Sequence, residues 1–162
     1  MSKIKAALGD RAKVTVDVNQ AWNEVDAALG IEALEAAGID LIEQPAPREH
    51  RGALARLAAR FTVPIMADEG YYRTRGRTRT RAYACADAFA LKIAKSGGIY
   101  GMMRTAAIAD AAGVLLYGGT MLEGSIGSIA SAHGSSALPR LMWGTELFGP
   151  LLLKDDIVTA RP

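Results

Sequence analysis

Short apolar runs rich in β-branched residues alternate with longer Ala/Leu-rich stretches along this chain. Each pair occupies about 25 residues, the length of a strand plus a returning helix. Strands are predicted at 14–19, 40–44, 64–68, 88–92 and 114–118, with a weaker sixth at 141–145. Their continuous apolar character suits strands buried on both faces of a parallel sheet. Between them, Trp22, Val25, Leu29 and Ala33 recur at helical spacing, as do Leu54, Leu57 and Phe61, and then Ile99, Met103, Ala106 and Asp110. Gly38 and Gly113 stand where the first and third of these helices must stop. Right-handed returns of such units build either an open doubly wound sheet or a barrel.

With 162 residues, half of them apolar, the chain can bury a substantial core and is expected to form a single domain over 1–162. The longest apolar stretches, such as 126–132, fall far short of the roughly 20 residues needed to cross a bilayer, and no apolar run follows the N-terminal lysines. A cytoplasmic location and no membrane partner are expected. Cys85 is the chain's one cysteine, so neither an internal disulfide nor a cysteine-based zinc site can form.

One segment breaks the alternation. Residues 70–84 read GYYRTRGRTRTRAY followed by Ala84, with arginine at every second position and no apolar stripe, although the pattern calls for a helix there. Five arginines between Arg73 and Arg81 account for the net charge of +2, and without them the remainder carries −3. The chain elsewhere offers no basic face, so a solvated irregular stretch is the reading, and no nucleic-acid partner is expected.

Chemistry is concentrated at the strand ends. Asp17 in VTVDVN, Glu43 in LIEQP, Asp68 in PIMADE and Lys92 in FALK close four successive predicted strands at separations of 26, 25 and 24 residues. One strand-and-helix return brings the chain back to the same side of the sheet, so this spacing predicts four side chains around one mouth. Three carboxylates gathered there repel one another unless a cation neutralises them. Oxygen ligands alone select a hard ion, Mn²⁺ or Mg²⁺, with positions left for water and a substrate carboxylate. A lysine beside such a cation has its charged form disfavoured, which is how an amine becomes a base near neutral pH. Glu69 could pair with Lys92 and orient it, and Asn19 stands two residues after Asp17. YGGTMLEGSIG and WGTELFGP carry Glu123 and Glu146 toward the same mouth if the pattern continues. No phosphate-loop motif follows a strand, the spacing of Gly97, Gly98 and Gly101 being wrong for one. His50 and His133 have no second histidine at ligand spacing, and Ser125 lacks triad partners.

DVNQAW, EQP, ADE, the lysine of FALK, YGGTML and GTELFGP, in this order and spacing, resemble the enolase superfamily and within it the muconate and chloromuconate cycloisomerases. The resemblance implies an α/β fold, specifically part of that superfamily's C-terminal (β/α) TIM-type barrel, lacking the first two βα units and the capping domain. It implies metal ligation by Asp17, Glu43 and Asp68, a lysine acting at Lys92, and an acidic proton donor at Glu146. In such enzymes the metal binds a substrate carboxylate and stabilises an enolate-like intermediate while a lysine moves the neighbouring proton. The expected reaction is closure of muconate, or a chlorinated relative, to a lactone during aromatic breakdown, with the small carboxylic acid as substrate. The family's Lys-x-Lys pair is not matched: Lys3 and Lys5 lie too near Asp17 and are expected to be solvated helix lysines. The 70–84 segment has no likeness to the family's helix although its length is kept, which suggests two compensating frameshifts. A barrel lacking two strands leaves open edges, so weak or absent activity and homo-oligomerisation are expected of the chain alone. Two alternatives stand beside this: an o-succinylbenzoate synthase or N-acylamino-acid racemase of the same superfamily, and a non-catalytic module binding RNA or an acidic partner through its arginine run.

Overall fold

The computed structural model of the chain describes residues 1–71, 85–138 and 140–159. The arginine run and Tyr72 and Tyr83 lie outside the described residues. The chain divides into two compact units, Met1–Ala88 and Phe89–Pro162, and each is described by itself.

The first unit contains helix α1 (Ser2–Leu8), strand β1 (Thr15–Asp17), helix α2 (Glu24–Ala36), strand β2 (Leu41–Glu43), helix α3 (Arg51–Arg60) and strand β3 (Ile65–Ala67). β1 pairs in parallel with β2, and β2 with β3, as strand–helix–strand returns require. After the undescribed segment the chain lies along β3 again. There the Asp87 amide donates to Ile65 O at 2.9 Å, and Asp87 Oδ2 accepts from Ile65 N. Beneath the strands, Ile31, Ile42, Leu54, Leu57 and Ile65 form one apolar cluster. Cys85 is buried, and that burial pushes its thiol up.

The strand centres match their predicted positions, but burial on both faces holds only for some. β2 and β3 are buried at every residue, whereas β1 alternates exposed and half-buried, having a strand neighbour on one side alone among the described residues of this unit. α2 shows a larger departure. Val25 and Leu29, expected on the core stripe, are 70% and 64% exposed, and the buried positions are Ala27 and Ile31. The helix is apolar on most of its circumference, so spacing alone could not select the inward face. Trp22 precedes the helix and folds its ring over Gly30, where a Cβ would lie 2.6 Å from the indole. α3 buries Leu54 and Leu57 as predicted.

Lys3 is exposed as expected, but Lys5 is not simply solvated. It bridges to Asp40 at the entrance to β2, and the same carboxylate oxygen accepts from Val14 N at 2.7 Å. Burial raises the Asp40 carboxyl, but the bonds from Lys5 and Val14 and the charges of Lys5 and Lys13 outweigh it and hold the group below the usual carboxylate range. A depressed folded-state value contributes stability above the unfolded pKa that is lost as pH falls through the folded one. Asp40→Asn is expected to cost about 1 kcal/mol at pH 7. The difference from wild type should shrink to nothing well below pH 4, as urea midpoints measured across acid pH would show.

The second unit holds β4 (Ala88–Leu91), whose first residue closes the first unit, followed by α4 (Ile93–Ser96), α5 (Ile99–Ala111), β5 (Leu115–Gly118), α6 (Ser125–Ser136) and α7 (Gly149–Leu152). Met102, Ala106 and Ala109 form the buried face of α5, so Ala106 lies where predicted, Met102 and Ala109 replace Met103 and Asp110, and Ile99 is exposed. The predicted sixth strand is reduced to one parallel bridge, Gly118 with Thr145. Gly144 turns the chain there with φ of 77°, and a single pairing follows it. Ser125 Oγ and N both donate to Asp156 Oδ2, so the Asp156 carboxylate takes up the first amide of α6 and the Ser125 hydroxyl is bonded to a carboxylate rather than to a histidine. His50 and His133 are exposed. Among the described residues no helix is long and apolar enough to cross a membrane.

Candidate functional site

In the first unit the strand register brings the acidic stations level. Asp17 and Glu43 are direct Cα partners across β1 and β2, and Glu43 is partnered by Met66 across β2 and β3. Asp68 lies two residues beyond Met66, so the alternation of an extended chain returns it to the same side. Glu43 and Asp68 are 5% and 4% exposed, while Asp17 is exposed.

The backbone at these strand ends is bent in an unusual way. Asn19, Gln20 and Gln44 all have positive φ, at 51°, 65° and 38°, directly after β1 and β2. Side chains other than glycine adopt such angles at a cost of order 1 kcal/mol each, and the surrounding bonds must hold them. Val18 N donates to Glu43 O, Gln20 N to Gln44 O at 2.7 Å, and Gln44 N to Met66 O at 2.8 Å, so the three strand ends are tied in sequence.

Asp17 uses both carboxylate oxygens on Asn19, accepting from its backbone amide at 2.8 Å and its side-chain amide at 2.7 Å. Asn19 thus contacts the predicted ligand beside it. Among the described residues no three His, Cys, Asp or Glu side chains stand close enough together to hold an ion. The register and the all-carboxylate donor set suit a hard cation. Glu69 is half-buried in the short 3₁₀ turn Glu69–Tyr71, and its charge reaches Arg48.

Gln44, the middle residue of EQP, ties two strand ends together. Its side chain is fully buried, accepts from Asp68 N at 2.9 Å and Gly70 N at 3.1 Å through Oε1, and donates to Ala46 O through Nε2. No spacing rule identifies such a residue, because its partners are backbone groups.

In the second unit Lys92 follows β4 as the residue before α4, and its carbonyl accepts from Ser96 N at 2.9 Å. It is 7% exposed, which does not suit a lysine reaching out to water from a strand terminus. Its aliphatic stem lies against Gly119, where a Cβ would come within 2.5 Å of Lys92 Cε, and Gly119 N donates to Leu91 O. Glu123 faces the same lysine. Burial raises its carboxyl, but bonds from Thr120 Oγ1 at 2.6 Å and Met121 N at 2.8 Å, with the charge of Lys92, outweigh it, and the group stays below the ordinary carboxylate range. Glu146 is half-buried, and its amide donates to Gly118 O at 2.9 Å, which sets it at the end of β5. Gly119 lies within YGGTML, but its part, leaving room for another side chain, has no spacing signature.

Known proteins resemble this chain over nearly its whole length. Muconate cycloisomerase 1 of Pseudomonas putida is 54% identical over 159 residues, which cover 98% of this chain and 42% of that protein. The chloromuconate cycloisomerase of Pseudomonas putida is 44% identical over 161 residues, 99% of this chain and 44% of that one. The crystal structure of muconate lactonizing enzyme from Pseudomonas fluorescens complexed with muconolactone matches with a TM-score of 0.91 and 52% identity, over 99% of this chain and 43% of that one. The chain therefore spans less than half the length of these relatives. The family model described as enolase C-terminal domain-like matches residues 1–162. With parallel strands and returning helices of the α/β class among its described residues, the chain is a member of the enolase C-terminal domain-like family.

Proposed function

We propose that this chain supplies the cation-holding and proton-transferring residues of a muconate-cycloisomerase-type isomerase acting on a small muconate-like dicarboxylic acid in aromatic catabolism. The observation that carries the proposal is the register of Asp17 with Glu43, and of Glu43 with the strand leading to Asp68, in a chain of this family. Asp17, Glu43 and Asp68 would hold Mn²⁺ or Mg²⁺, with Asn19 and Glu69 beside them to orient the ligands. When bound, the cation would lower the cost of negative charge developing next to the substrate carboxylate.

The chain's own residues supply the remaining chemistry. Lys92, buried and with its stem set against Gly119, moves the proton on the carbon next to the carboxylate. Its burial limits hydration of the ammonium and keeps competing water from the amine. Glu146 delivers or receives the second proton. Residues 1–162 belong to one partial (β/α) barrel domain in this reading, in a cytoplasmic protein that associates with further copies of itself.

Titration of the purified chain with Mn²⁺, beside Asp17→Asn and Glu43→Gln, tests the assignment. Each variant is expected to weaken binding at least about a hundredfold, because each removes an anionic ligand. Binding indifferent to both changes would remove the cation site and the mechanism with it.

A further inference from the structure

We infer that Gln44 is a positioning residue for the cation site: through one buried amide it sets where Glu43 and Asp68 present their carboxylates. This rests on the proposed function, since it assigns a role within the same site.

Gln44 follows Glu43 directly, and its own backbone is held on both sides, its carbonyl accepting from Gln20 N and its amide donating to Met66 O. Its side chain then crosses to the end of β3, where Oε1 accepts from the Asp68 and Gly70 amides. Nε2 donates to Ala46 O at 2.8 Å, which fixes the end of the amide that faces Asp68. The turn after Asp68 closes tightly on this group, for a Cβ at Gly70 would lie 3.4 Å from Gln44 Oε1 and 3.2 Å from Leu54 Cδ1.

A residue needed only to fill space would not require three polar contacts in a fully buried position, because burying an amide is unfavourable unless its hydrogen bonds are made. Two of those contacts end on the turn that carries Asp68, and the residue's backbone adjoins Glu43. The positive φ of Gln44 is the conformation that joins these functions, held by the bonds on either side. Residues that orient metal ligands in this manner typically change metal affinity by about ten- to a hundredfold when altered.

Gln44→Met keeps the volume and removes the acceptor. Its Mn²⁺ dissociation constant is expected to rise at least about tenfold, and the electron paramagnetic resonance spectrum of bound Mn²⁺ should broaden as the ligands lose a fixed geometry. An affinity within twofold of wild type in a folded variant overturns the inference. Should Gln44→Met fail to fold, the wild-type chain still decides. If these bonds pre-position the ligands, binding must in return tighten them, so saturating Mg²⁺ should slow hydrogen exchange of the Asp68 and Gly70 amides at least about tenfold. Unchanged exchange overturns the inference. If wild-type binding is indifferent to Asp17→Asn and Glu43→Gln, the cation reading fails and this inference with it. If those variants weaken binding and Gln44→Met does not, only the role of Gln44 falls.

Discussion

Gly101→Ala is expected to destabilise the second unit by about 3 kcal/mol, against the ordinary helix preference. Within a helix, alanine in place of glycine normally stabilises by roughly 0.5–1 kcal/mol. Here the added Cβ would lie 1.9 Å from the Ser96 carbonyl oxygen, a backbone atom that cannot rotate away. Gly97, with φ of 77°, and Gly98, with φ of 102°, turn the chain sharply between α4 and α5, which brings the last residue of α4 against the first turn of α5. Relieving the clash requires α4 to move. Since Ser96 N is bonded to Lys92 O, that movement carries the proposed base with it. In a Trp22→Phe background, where Trp143 alone reports, the urea midpoint should fall clearly, and a midpoint that stayed or rose would show that the two helices can separate freely.

The same three glycines do work that only the folded chain reveals. Their spacing excluded a phosphate loop, but close approach of two backbones leaves no periodic trace, so their role became visible only in the fold. The places of Asp17, Glu43, Asp68 and Lys92 at or just after strand ends were legible because they repeat at the length of one strand-and-helix return, and parallel pairing sets Asp17 level with Glu43 and Glu43 level with Met66. The 141–145 strand was overread, since an apolar run beside Gly144 gives a turn with one pairing. Asp17 illustrates a further limit. Its place in the chain was predictable, whereas the bonds that turn its carboxylate onto Asn19 depend on positive φ at residue 19, which an asparagine tolerates without requiring.

The face of α2 supplies the second large effect. Ile31→Ala is expected to cost about 3–4 kcal/mol, because it opens a cavity in a cluster where Ile31 has no exposed surface and where Ile42, Leu54 and Ile65 also pack. Leu29→Ala, two residues earlier in the same helix, should cost at most about 0.5 kcal/mol, since 64% of that side chain already meets solvent. Helical spacing from Trp22 favours Leu29 as the core residue and predicts the reverse order, so the pair separates a face chosen by period from one chosen by packing. Both substitutions change helix propensity slightly in the same direction, and the difference between them therefore reports burial. In a Trp143→Phe background, Trp22 packs on Gly30 of this helix and follows its unfolding directly. Equal midpoints for the two variants would mean that α2 does not seat Ile31 in the core. The bonds that run from the residues just before α2 to those just after β2, including Trp22 N to Pro45 O, would then lose their support, and with them the strand end that carries Glu43 and Gln44.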